Sequence, residues 1–546
     1  MPELALWSLA LSYGAAWLAV NVAAIVRPTL LEWPRGRGAL IGVIVALVPA
    51  ASVVSRWEVL LENEGLAGSR QNAIDRARLE AIPSVFPAVV FSDHPQTFYV
   101  HAPGARHVAL EVGSEADPAA ATSLGHGLFR VTYDPRLHGP PGEDGPVQLD
   151  IVVDERAHER HGIAVVPRPH PRWLCGSADR RLAATVSEET DELVVVDEGG
   201  LVARLDVDDA PSDCAFIDDR QVAVSHRHSD TLSIVDVLAE STLKRVELTA
   251  HQSRVASSPA SGVLAVAVQG PEPGIFLVDA RAGSVRDFIP TDADWLAFGR
   301  TATTLLVASR KRATLERFAL GERGARKEGV LPLGRPAVTL AVSPDGSRAM
   351  VATTDYRSDG APHYGNHFVQ DQLLTIDVDT LSVVDQTLTA RRTPRQSSAG
   401  DVDRGGSPMG IELGEGGWAR VAFAGTFEVW TLGLGPRPRV YDMRGWGGDE
   451  HEPPLLAAPH STFTFEDGSW AVTSPADGTI GLFDSGNLLV ELVRLAPDDR
   501  ALLAESEHAL ARRMGERTFY ETTRSGIACQ SCHLHADTDR VMRNIG

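Results

Sequence analysis

Apolar positions along the chain change rhythm several times, and each change marks an element. Leu4 to Val26 runs 23 residues without a charged side chain. At about 1.5 Å of helical rise per residue, such a run crosses a hydrocarbon core of about 30 Å. A second run, Ala39 to Ser55, is shorter, contains Pro49 and is flanked by Gly38 and Trp57, and reads as a second span. Arg27, Arg35 and Arg37 lie between the two runs, so the positive-inside rule puts the connecting loop in the cytoplasm and both ends of the hairpin outside. From Trp57 to Ile82 charged residues alternate with Leu60, Leu66, Ile74 and Leu79 up to Pro83, the pattern of a helical linker. These stretches predict a transmembrane helical hairpin over residues 1–57 and a linker over 58–84.

Over residues 85–166 the period shortens to two. TFYVHA at Thr97–Ala102, HVALEVG at His107–Gly113 and VQLDIVV at Val147–Val153 are separated by clusters such as HGPPGEDGP, which predicts a small antiparallel β-sandwich. Residues 167–497 then repeat. An apolar run closed by aspartate recurs, ending at Asp197, Asp236, Asp279, Asp377 and Asp484, with degenerate copies LERF at Leu315–Phe318 and FEVWT at Phe427–Thr431. Each is preceded by a turn and another strand, as in SPDGSRAMVATT from Ser343. One sheet of about 40 to 58 residues cannot cover its own faces and must stack on neighbours, so seven such units predict a seven-bladed β-propeller and a mainly β chain.

With 51 Lys and Arg against 72 Asp and Glu, the formal charge of −21 argues against a nucleic-acid partner. Only four cysteines occur. Cys175 and Cys214 fall at matching places in the first two units and read first as buried thiols, with a disulfide in an oxidising compartment as the alternative. His101, His107, His158 and His161 show no ligand spacing and read as solvated. Unit five carries the longest interruption, 355–372, followed by the polar loop 391–408. Binding residues concentrate on such loops, which makes His363, Tyr364 and His367 candidates to reach a ligand or the haem edge, although solvated loop positions are the simpler reading. His226 and His228 are ambiguous in the same way.

Residues 498–546 resume helical spacing, with Asp498 or Asp499 as N-cap and Leu502, Leu503, Leu510 and Met514 as the apolar positions. The helix leads to Cys529-x-x-Cys532-His533. Two thiols on one helical turn can each add to a vinyl group of haem, and the following imidazole presents a nitrogen to the iron, so the motif predicts one covalent haem c with His533 as proximal ligand. Zinc held by Cys529, Cys532 and His535 with one further ligand, or a bare redox dithiol, are the alternatives; no second half-site or βαβ context accompanies either. Met542, nine residues beyond His533, is the candidate distal ligand, since nine extended residues reach about 30 Å.

The unit SPDGSRAMVATT…LLTIDVDTLSVV, Ser343–Val384, resembles bacterial YVTN-type propellers, more weakly in units four and six. The segment MGERTFYETTRSGIACQSCHLHADTD, Met514–Asp539, resembles the start of the cytochrome c domain that follows such propellers in proteins related to di-haem cytochrome c peroxidases. Gly515, Phe519 and Tyr520 match the helix before the haem. The resemblance implies a protein of the bacterial cytoplasmic membrane with its bulk in the periplasm, transferring electrons through one haem. Such proteins continue well beyond this motif, so the cytochrome c-like segment is expected to be incomplete, with a redox partner or a second chain completing it. A propeller binding module with a vestigial haem motif, and part of a peroxidase-like oxidoreductase completed by another polypeptide, are the competing expectations. No complete active site is visible, and the enzyme class stays open.

Overall fold

The computed structural model describes residues 83–520 except for short stretches, of which the longest are 357–368, 390–405 and 444–455. Both N-terminal apolar runs, the linker and the Cys-x-x-Cys-His segment lie outside the described residues. No described helix is long and apolar enough to cross a membrane.

The described residues form two compact units, one from 97–133 and 148–161 with the strand at 84–86, the other from 89–96, 134–147 and everything from 162 onward. Eight strands, β1 (Ser84–Phe86), β2 (Val89–Phe91), β3 (Gln96–His101), β4 (Val108–Val112), β5 (Ala119–Gly125), β6 (Leu128–Tyr133), β7 (Gly145–Val153) and β8 (Arg156–Val165), are hydrogen-bonded in the order β1-β3-β6-β5-β4-β7-β8-β2. Alternate residues are buried, Phe98 and Val100 on β3 and Phe129, Val131 and Tyr133 on β6, as a one-sided sheet requires. The expected all-antiparallel arrangement needs one correction, because Val89–Phe91 pair in parallel with Ile163–Val165. A four-residue helix, α1 (Pro135–His138), separates β6 from β7.

Seven four-stranded antiparallel sheets follow in chain order, blades 1 to 7, over residues 175–206, 211–247, 252–289, 295–332, 337–388, 408–442 and 462–494. In each, strands A to D run from the axis outward. The B strands are enclosed on both faces, as at Ala183–Ser187, Val263–Val268 and Trp470–Ser474, whereas D strands such as Ser382–Leu388 face solvent. Antiparallel order puts the starts of the A strands, the B–C turns and the links between blades at one end, the mouth face. The A–B and C–D turns lie at the other, the turn face.

The recurring aspartate has a physical role on the turn face. Its carboxylate accepts backbone N–H groups of the C–D turn: Gly199 at 2.8 Å for Asp197, Ala239 at 2.9 Å for Asp236, Ala282 at 2.9 Å for Asp279, Thr380 at 2.9 Å for Asp377 and Leu488 at 2.8 Å for Asp484. The apolar run before each aspartate is the C strand, which bulges near its end, as between Ile234 and Val235 and between Thr375 and Ile376. LERF and FEVWT lie in C strands too, Thr314–Gly321 and Glu428–Leu432.

Among the described residues no strand is shared between the first and last blades. The ring closes through face packing of Ala183, Val194 and Val196 against Ala471, Ile480 and Leu482. Gly176 lets the Phe463 ring approach so closely that a Cβ there would lie 1.8 Å from it. Leu174 N donates to Ser461 Oγ at 3.1 Å and Thr473 Oγ1 to the Arg172 carbonyl at 2.7 Å. On the turn face Arg180 donates to the Thr464 carbonyl at 2.8 Å and pairs with Glu412 of blade 6 at 2.7 Å.

Cys175 and Cys214 are bonded to each other, with Cα atoms 6.0 Å apart, and are not free thiols. Their matching places put them on the inner strands of adjacent blades, within bridging distance.

After blade 7 come α2 (Asp499–Glu505) and α3 (Glu507–Tyr520). Asp498 caps α2, its carboxylate accepting Ala501 N at 2.8 Å. Of the apolar positions expected to pack, Leu502 is buried, but Leu503 and Met514 are exposed. The face of α3 that docks carries arginines and tyrosine instead.

Candidate functional site at the mouth of the propeller

The first residues of the inner strands, or those just before them, converge on the mouth face. Trp173 precedes blade 1, Asp213 belongs to blade 2, Arg254 to blade 3, Trp295 to blade 4 and Met409 to blade 6, while His460 precedes blade 7. Trp173 and Trp295 meet edge to face at 4.9 Å, although they come from blades on nearly opposite sides of the ring. The Arg254 guanidinium lies 4.1 Å from the Trp173 ring centre and 3.9 Å from that of Trp295. His460 packs on Trp173 at 5.2 Å, and the Tyr520 ring meets His460 edge-on at 5.5 Å. The residues form a stopper, with His460 fully buried and Tyr520 only 3% exposed.

Burial sets the electrostatics of this stopper. It pushes Asp213 up to about 6 against the pull of Arg254, which stands 4.0 Å away, and it lowers Arg254 to about 10. Asp213 keeps hydrogen bonds from Cys214 N at 2.9 Å and Val255 N at 3.1 Å. Burial, reinforced by Arg172, lowers His460 to about 3, and it lifts Tyr520 to about 12. His460 is therefore neutral at physiological pH.

The described residues flanking two of the long excursions lie at the same face. The interruption in blade 5 is its B–C turn, and the polar loop is the link to blade 6. Buried Asp371 ties their feet together, accepting Thr354 Oγ1 at 2.6 Å and Ser407 N at 2.8 Å, and burial raises its pKa to about 6.

The helix α3 ends in the stopper. Arg512 pairs with Glu189 of blade 1 at 2.5 Å, and Arg517 pairs with Asp477 of blade 7 at 2.7 Å. Cys529, Cys532, His533, His535 and Met542 lie beyond its last residue, outside the described residues, as do His363, Tyr364 and His367. Among the described residues no group of three or more His, Cys, Asp or Glu side chains is placed to hold a metal. His226 is buried, its Nδ1 3.0 Å from the Thr231 carbonyl, and His228 stands 4.0 Å from Asp209. The stopper itself escaped sequence reading, because its members are single residues from separate units; the signal was a tryptophan at or just before the start of two inner strands, in RWLCG and DWLAFG.

No family model matches the chain, and no curated protein matches it. Among solved structures, it is similar to Kuenenia stuttgartiensis hydrazine synthase, with 14% identity and a TM-score of 0.46 over 59% of this chain and 97% of that one. It is also similar to Kluyveromyces lactis Hsv2, at 10% identity and a TM-score of 0.41 over 60% and 99%. A functionally unknown protein from Desulfotomaculum acetoxidans matches at 12% identity and a TM-score of 0.39 over 54% and 92%. At these values the similarities carry nothing about ligand or reaction.

Proposed function

We propose that this chain is a membrane-anchored periplasmic protein in which the propeller carries one covalent haem c for electron transfer. The observation that carries the reading is the docking of α3. It seats Tyr520 in the mouth, and Cys529 follows nine residues later, a tether of at most about 30 Å. The donor set fits the group: thioethers from Cys529 and Cys532, an axial imidazole from His533 and Met542 as second candidate ligand. Haem bound there supplies a one-electron carrier. The disulfide between blades 1 and 2 supports an oxidising compartment, where covalent haem attachment also takes place. The membrane, a redox partner protein and a second chain completing the haem module are the partners this reading calls for. The resemblance to YVTN-type propellers with a cytochrome domain belongs to the same proposal.

A haemochrome spectrum of protein made with cytochrome c maturation machinery tests it. The native chain is expected to show covalent haem, and His533→Ala to retain the haem while losing the native iron spectrum. A native chain without the haem band sinks the reading. A second reading, a propeller binding module, is favoured by one observation, the anchoring of two long loops on the mouth face by Asp371.

A further inference from the structure

The joint between blades 7 and 1 has no shared strand among the described residues, and α3 lies over it on the mouth face. Arg513, Arg517 and Tyr520 are spaced i, i+4 and i+7 and form one stripe of the helix. Arg513, buried, donates to the Asp477 carbonyl at 2.8 Å and the Pro497 carbonyl at 2.6 Å. Arg517 meets Asp477 Oδ1 at 2.7 Å, while Asp477 Oδ2 accepts Ala457 N at 2.6 Å and Ser474 Oγ at 3.0 Å, all within or just before blade 7. The neighbouring stripe holds blade 1. Arg512 bridges Glu189 at 2.5 Å and Glu516 at 3.2 Å, and Glu189 also accepts Arg168 N at 3.1 Å.

A surface helix usually docks by an apolar stripe, and this one turns Met514 to solvent, buries Arg513 and half-buries Arg512 and Arg517. Buried guanidinium groups are tolerated only with their partners in place, so the docking is directional and fails as a unit when one pair is lost. On its other side blade 1 is bonded to blade 2 through Cys175 and Cys214. The first blade is thus held covalently at one joint, and at the other the helix adds to the face packing and hydrogen bonds of the closure.

We propose that α3 is the clasp of the propeller ring, a conformational device that replaces a shared strand, so that release of the helix and opening of the joint between blades 7 and 1 are one event. This inference does not depend on haem attachment.

Hydrogen exchange on the full chain tests it, comparing the native protein with Arg517→Gln. The variant is expected to exchange at least about tenfold faster in α3, in 175–206 and in 462–494, with blade 4, residues 295–332, unchanged. Faster exchange confined to α3 overturns the proposal. If the variant does not fold, the native protein decides: α3 and the strands of blades 1 and 7 opening together supports the clasp, and α3 exchanging far faster than both blades contradicts it.

Discussion

His460 shows how one residue's burial reaches the stability of the whole ring. Its imidazole titrates near 6.5 when the chain is unfolded and near 3 in the folded stopper, lowered by burial and by the nearby Arg172 and Arg254. Between those values the unfolded chain binds the extra proton, so this contribution is full above pH 6.5 and is lost as pH falls toward 3, on the order of a few kcal/mol in all. His460→Phe should therefore flatten the stability profile over that window by about one proton, measured from denaturant midpoints at successive pH values. An unchanged slope would show that the ring is open to solvent. Raised groups such as Asp213 and Asp371 act in the opposite direction, their cost appearing as pH rises through about 6, so the difference between native and variant is the informative quantity.

At the scale of elements, the legible strands were those enclosed on both faces. B and C strands such as VLAVAV and ELVVVD carry continuous apolar runs, and the aspartate that ends most C strands is there because the C–D turn needs a carboxylate acceptor. A and D strands were less visible. PSDCAF packs polar side chains at the mouth, and STLKRVE faces water, so neither carries a strong apolar signature. The helix α3 was legible as a helix but not in its docked face, because arginine ordinarily remains solvated and nothing in RRMGERTFY signals that Arg513 is buried. The pairing of Cys175 with Cys214 depends on blade adjacency, which matching repeat positions suggest but cannot measure. Replacing both by alanine should cost about 2–4 kcal/mol, and reductant should lower the melting temperature of the native chain but not of the double variant. Equal sensitivity in the two proteins would mean the bond contributes nothing.

Across the whole molecule the repeat standardises the turn face and frees the mouth face. Short turns, many of them stapled by an aspartate, lie on the one; the other carries the stopper, the C-terminal helix and the Asp371 contacts with Thr354 and Ser407. The seven-unit repeat made the propeller legible, because each unit repeats the same buried pattern. The stopper was not legible, since it exists only when single residues from separate blades meet across the ring. That division gathers the stopper and the last residue of α3 on one face. The most direct measurement is the intact mass of the denatured full chain, purified from cells carrying out cytochrome c maturation. A chain heavier by one haem, with the increment lost in Cys529→Ala/Cys532→Ala, is the predicted result. An unmodified native mass would contradict the account.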